Sequence, residues 1–121
     1  MILPIPGLVP SSSSAIRPFF SYYGGKWRTA PRYPVPKHRT IVEPFAGSAG
    51  YSIRYHHRDV RLCDLDSVVC GVWDYLIHAT REEVLRLPLD IPEAGVDEMS
   101  ICPEAKSLVG FWLNSGASRP K

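Results

Sequence analysis

Residues 41–55 read IVEPFAGSAGYSIRY, and their interpretation decides the rest of the chain. Two β-branched residues, Ile41 and Val42, lead into an acid, a proline and an aromatic, which is how a short buried strand ends. Small residues follow from Ala46 to Gly50, and then a segment over Ala49–Arg58 that reads as a helix. Strand, glycine-rich turn and helix in that order imply an open parallel sheet, where ligands bind beyond the carboxyl ends of the strands. Gly47 and Gly50 admit positive φ and the close approach of another group to the backbone. An ordinary tight turn explains the glycines alone equally well.

Downstream, VRLCDLD (residues 60–66) reads as a second strand, so the pair is parallel with a right-handed crossover. Asp64 stands 21 positions after Glu43. A carboxylate at about that distance is where nucleotide-binding folds grip ribose hydroxyls. The turn nevertheless reads G-S-A-G rather than G-x-G-x-x-G, and Glu43 precedes it. An acid there repels a pyrophosphate and favours a ligand carrying an ammonium group. The ligand so described has a ribose, little phosphate and a positive end, and S-adenosylmethionine fits.

The remaining segments are coarser. Residues 1–16 read as an irregular arm. The aromatic patch from Arg17 reads as strand-forming, broken at Gly24-Gly25, with a short helix entered at Lys26 and an extended loop enforced by Pro31, Pro34 and Pro36. Val69, Val72, Trp73, Leu76 and Ile77 follow the i, i+3, i+4, i+7, i+8 pattern of an amphipathic helix over Ser67–Thr80. Thr80 and Glu83 have capping-box spacing for a further short helix. Residues 88–97 read as loop or turn. Pro103 opens a helix through Asn114, with Gly116 as its C-terminal cap. The fold class is thus α/β: an incomplete Rossmann-like domain with a short parallel sheet flanked by helices.

Bulk properties agree with one small domain. The 121 residues are 45% hydrophobic, a globular value. The 12 prolines are about twice the usual share. Net charge is +2, but residues 1–61 carry nine Lys or Arg against two acids, and residues 62–121 carry five against ten. The basic half suits an anionic partner, though a solvated basic surface accounts for it as well. Cys63, Cys70 and Cys102 show no paired metal spacing and read as free thiols of a reducing cytosol, which makes cytoplasmic localisation the expectation. No apolar run approaches the ~20 residues that cross a bilayer, and the N-terminus lacks the features of a signal peptide. His38, His56, His57 and His78 form no ligand set.

EPFAGSAG (residues 43–50), RPFFSYYGGK (17–26) and LCDLD (62–66) together resemble, in the right order, three motifs of the adenine-specific DNA methyltransferases. The group resembled includes the DNA adenine methylases of bacteria and phages, and the likeness covers about residues 17–80, with residues 81–121 as a helical segment similar to the start of that family's DNA-recognition region. The resemblance implies S-adenosylmethionine as cofactor. Tyr22, Tyr23, Gly24, Gly25 and Lys26 would hold its methionine end, with Lys26 on the carboxylate. Glu43, Phe45, Gly47 and Gly50 would line the methionine and adenosine, and Asp64 would take the ribose hydroxyls. Arg28, Arg32, Lys37 and Arg39 would meet phosphates of double-stranded DNA. Core packing for at least two of Phe19, Phe20, Tyr22 and Tyr23, and a solvated Lys26, are the plainer alternatives. The family's Asp-Pro-Pro-Tyr tetrapeptide, which engages the adenine amino group, does not occur here. The expectation is therefore a cofactor-binding part without catalytic residues or metal, completed by a further C-terminal half or a second subunit. A non-catalytic remnant that binds the cofactor or DNA stays open beside it. An oxidoreductase nucleotide domain is disfavoured by the glycine spacing and Glu43.

Overall fold

Strand β2 (Thr40–Glu43) carries the decisive turn at its carboxyl end and pairs in parallel with β3 (Asp59–Leu62), Thr40 opposite Asp59 and Glu43 opposite Leu62. The computed structural model describes residues 2–3, 16–88, 92–93 and 95–114. A third, two-residue strand, β1 (Ile2–Leu3), pairs antiparallel with the other edge of β3, giving the order β1-β3-β2. Three α-helices follow among the described residues: α1 (Ser67–His78), α2 (Arg81–Leu85) and α3 (Pro103–Leu113). The protein is a small α/β chain. It divides into two units: residues 1–19 with 24–65, and residues 20–23 with 66–121.

The first unit holds the sheet. Both parallel strands alternate, burying Ile41, Glu43, Val60 and Leu62 and exposing Thr40, Val42, Asp59 and Arg61. Strands buried on both faces would be apolar throughout; here Val42 is 57% exposed, so the expected fully buried strand is half-buried. The second strand also stops short of residues 63–66, although Cys63 still bonds to the end of β2 and the turn after it: its amide donates to the Glu43 carbonyl and its carbonyl accepts from Ala46.

Three local expectations change. No α-helix spans Ala49–Arg58: a turn leads into a 3-10 helix of four residues, Ser52–Tyr55. At the expected first residue, Ala49 has positive φ (56°), which no right-handed helix accommodates, and Phe45 and Gly47 in the turn before it share that conformation (54° and 51°). The aromatic patch at Phe19–Tyr23 bends rather than forming a strand, and Lys26–Thr29 makes one turn, closed by Ala30 N–H on the Lys26 carbonyl, before a 3-10 helix at Ala30–Arg32. Ile2 and Leu3 of the supposed irregular arm are in the sheet; the rest of that arm, apart from Ile16, lies outside the described residues, as does Gly116.

The second unit is helical, and its sequence signals hold. Asp66 caps α1 by accepting from the Val68 amide, and Thr80 and Glu83 form the complete capping box of α2. The predicted α1 face buries Val69, Val72 and Trp73. Pro103 is the first residue of α3, which ends with both the amide and the side chain of Asn114 on the Gly110 carbonyl. Phe20 packs on Trp73 and Phe111 at ring-centroid distances of 5.6 and 5.1 Å. Each such ring contributes roughly 1.5–3 kcal/mol by leaving water. Val96–Glu98, at the end of the expected loop and one residue past it, form a short 3-10 turn. Among the described residues no helix is long and apolar enough to cross a membrane.

Candidate functional site

Two acids, at the ends of β2 and β3, bracket the turn of the first unit, and each is tied to the main chain. Glu43 is 3% exposed, and its Oε2 accepts from the Ser52 amide at 2.9 Å. Asp64, half-buried, accepts through Oδ2 from the Gly47 amide at 2.9 Å. The second acid thus reaches back to the first strand's turn, where it accepts from a glycine N–H. The shape of the turn follows from these ties: Gly47 supplies a positive φ without a Cβ penalty, while Phe45 and Ala49 adopt it against their preference.

Gly50 has a different reason to be glycine. Its φ is not positive; Ala49 takes that conformation instead. A Cβ at Gly50 would stand 2.3 Å from the Trp27 backbone nitrogen and 2.8 Å from the Lys26 carbonyl carbon. What approaches the main chain here is another stretch of main chain. Arg54 seals the same junction: its Nη2 donates to the Trp27 carbonyl at 2.8 Å, and its guanidinium lies 4.1 Å from the indole centroid. Ser52, Trp27 and Arg54 escape a reading based on charge and glycine spacing. A tryptophan directly after Gly-Gly-Lys is the one hint the sequence offers.

Lys26 joins this assembly. Its ammonium donates to the Phe45 carbonyl at 2.6 Å and lies 3.4 Å from Glu43 Oε1. Glu43 Oε1 itself is buried and accepts no hydrogen bond, so the ion pair is close but misaligned. Lys26, Glu43 and Phe45 line one side of a groove of about 590 Å³, whose other walls include Tyr33, Val42 and Tyr51. That volume is within the range of small-molecule sites. Phe45 is 71% exposed, a large apolar ring held in solvent by a left-handed backbone. Tyr51 donates to the Pro34 carbonyl at 2.7 Å, and its phenol is held above the ordinary value chiefly by burial, then by Tyr55, with Arg58 acting the other way.

Tyr22 and Tyr23 belong to the second unit, where Tyr22 packs edge-on to Phe111 at 5.9 Å and Tyr23 is 74% exposed. Tyr22 is half-buried there. Gly24 has φ +74°, and both it and Gly25 are exposed. Of the four cations expected on DNA, Arg28, Arg32 and Lys37 are exposed, whereas Arg39 forms a surface ion pair with Asp59 at 2.9 Å. The second unit has its own groove, lined by Asp74, Tyr75, His78, Glu83, Cys102 and Glu104 among others, with none of the expected residues in it. Burial, then Cys102 and Glu83, raises the Tyr75 phenol. Among the described residues no group of three or more His, Cys, Asp or Glu side chains is arranged to hold a metal ion. The chain matched no protein-family model, no curated protein and no solved structure.

Proposed function

We propose that the chain is the cofactor-binding part of an adenine-N6 DNA methyltransferase, with S-adenosylmethionine held against the turn after β2 as in a Rossmann-like domain. The observation that carries this reading is the pairing of a buried Glu43, one oxygen lacking a hydrogen bond, with an Asp64 anchored on the Gly47 amide, the first at and the second just past the carboxyl end of a parallel strand. The donor set suits the ligand. Glu43 offers negative charge to an ammonium, and Asp64, oriented by Gly47, retains the capacity of a carboxylate to accept further bonds from ribose hydroxyls. Phe45 presents an exposed ring for the apolar parts of the nucleoside. When bound, S-adenosylmethionine supplies a methyl group already activated by its sulfonium.

The chain's own part is to bind and orient. Exposed Arg28, Arg32 and Lys37 would add salt-dependent contacts to the phosphates of duplex DNA. No Asp-Pro-Pro-Tyr occurs in the 121 residues. That favours, as a second reading, cofactor or DNA binding without turnover by this chain alone. A further segment or subunit would supply the adenine-binding groups, and the setting would be the cytoplasm of a bacterial host.

Calorimetry with S-adenosylmethionine and with NAD tests the first reading: binding of the former and not the latter is expected. Asp64→Ala weakens it by about 1–3 kcal/mol, the cost of losing charged hydrogen bonds. Unchanged affinity removes Asp64 from the site, and preference for NAD ends the proposal. A methylation assay on adenine-containing duplexes separates the two readings; the chain alone is expected to show no turnover.

A further inference from the structure

Lys26 and Glu43 form a pair with an unusual asymmetry. Glu43 Oε2 is fixed by the Ser52 amide at 2.9 Å, while Oε1, equally buried, has only the Lys26 ammonium at 3.4 Å and no hydrogen bond. A buried carboxylate oxygen in that condition gains from any donor that can approach it in line. The ammonium is meanwhile committed to the Phe45 carbonyl at 2.6 Å. Its own side chain is 26% exposed, on a flexible four-carbon stem. The backbone beneath it is held by Ala30 N–H on the Lys26 carbonyl and by the packing of Gly50 on Trp27. The head can therefore swing while its root stays. Both charged groups line the same groove.

We infer that this is an exchangeable ion pair that selects ligands ending in an α-amino acid. The ligand's ammonium replaces Lys26 at Glu43 Oε1, and the released Lys26 pairs with the ligand's carboxylate. The inference rests on the reading of the groove as a site for S-adenosylmethionine and specifies how the methionine end is recognised. Charge is conserved throughout: one internal pair and one zwitterion become two pairs. A ligand with an ammonium alone leaves Lys26 without a counter-ion. One with a carboxylate alone draws Lys26 away and strands a buried Glu43, the costliest outcome. The pair thus discriminates by what it leaves unpaired as well as by what it binds.

The test is calorimetry on the full chain with S-adenosylmethionine and its decarboxylated analogue, which keeps the amine and loses the carboxylate. The wild-type chain is expected to prefer S-adenosylmethionine by about tenfold or more. In Lys26→Met the preference collapses or reverses: S-adenosylmethionine weakens by about tenfold, while the decarboxylated analogue binds as well as before or better, since no internal cation competes for Glu43. Equal weakening of both ligands, or no change in either, overturns the exchange and leaves the binding reading intact. Equal affinity of the wild-type chain for the two ligands overturns it without any variant. Binding of neither ligand by the wild-type chain overturns both the exchange and the proposed cofactor.

Discussion

Between Gly24 and Leu65, side chains shape the protein by ending on main-chain atoms: Glu43 on Ser52, Asp64 on Gly47, Tyr51 on Pro34, Arg54 on Trp27, Lys26 on Phe45. In the unit formed by residues 20–23 and 66–121, rings and aliphatic chains meet one another, with Phe20, Trp73, Leu108 and Phe111 at its centre. Polar ties on the backbone impose particular dihedral angles and permit conformations that propensity opposes. An apolar core imposes volume and periodicity and leaves the backbone regular. A segment that must present a ligand with an irregular main chain needs the first kind of support.

The contrast predicts opposite sensitivities. Truncation is worst in the helical unit: Phe111→Ala, at a fully buried ring, costs about 3–5 kcal/mol by chemical denaturation. Addition is worst at the turn: Gly50→Ala drives a methyl into the Trp27 backbone and costs about 3 kcal/mol, with amide exchange rising in β2 and β3. The same substitution in α1, Gly71→Ala, meets only the Glu104 Cγ at 3.4 Å and stabilises by about 0.5–1 kcal/mol through helix propensity. Equal costs at Gly50 and Gly71 would erase the distinction.

A comparably small effect concerns Tyr51→Phe, which loses the hydrogen bond to Pro34 and about 0.5–1 kcal/mol at neutral pH. It also sharpens the comparison at high pH. The folded phenol sits above its ordinary value, so the neutral form is the one that folding favours. That contribution is complete below about pH 10 and is lost as the pH rises through the folded value. The variant therefore has a flatter alkaline limb than wild type. An unchanged limb would assign the alkaline loss to Tyr75, whose phenol is raised in the other unit.

How much of this the sequence disclosed follows the same division. The α1 face, the capping box at Thr80 and the proline start of α3 were legible because each is a local pattern that the helix itself satisfies. The two parallel strands were legible from β-branched residues and the order of the segments, whereas the bond of Asp64 to the Gly47 amide was not part of that reading. The absent helix after Ala49 was not legible, because Ala49 itself takes a positive φ and an alanine gives no local signal of that conformation. Nor did Gly50 announce that Trp27, 23 positions earlier, needs its space. Glu43 drew notice as a charge; that it is buried and holds Ser52 is a tertiary fact.

Phe45 combines an unfavourable backbone conformation with a ring turned out to water. Non-glycine residues in that conformation forfeit roughly 1–2 kcal/mol, and the ring recovers little of it where it stands. A library randomised at position 45 and sorted for heat resistance alone is therefore expected to enrich glycine or asparagine there. The same library sorted for retention of a nucleoside is expected to keep the aromatic, and the gap between the two winners would measure what this residue gives up in stability.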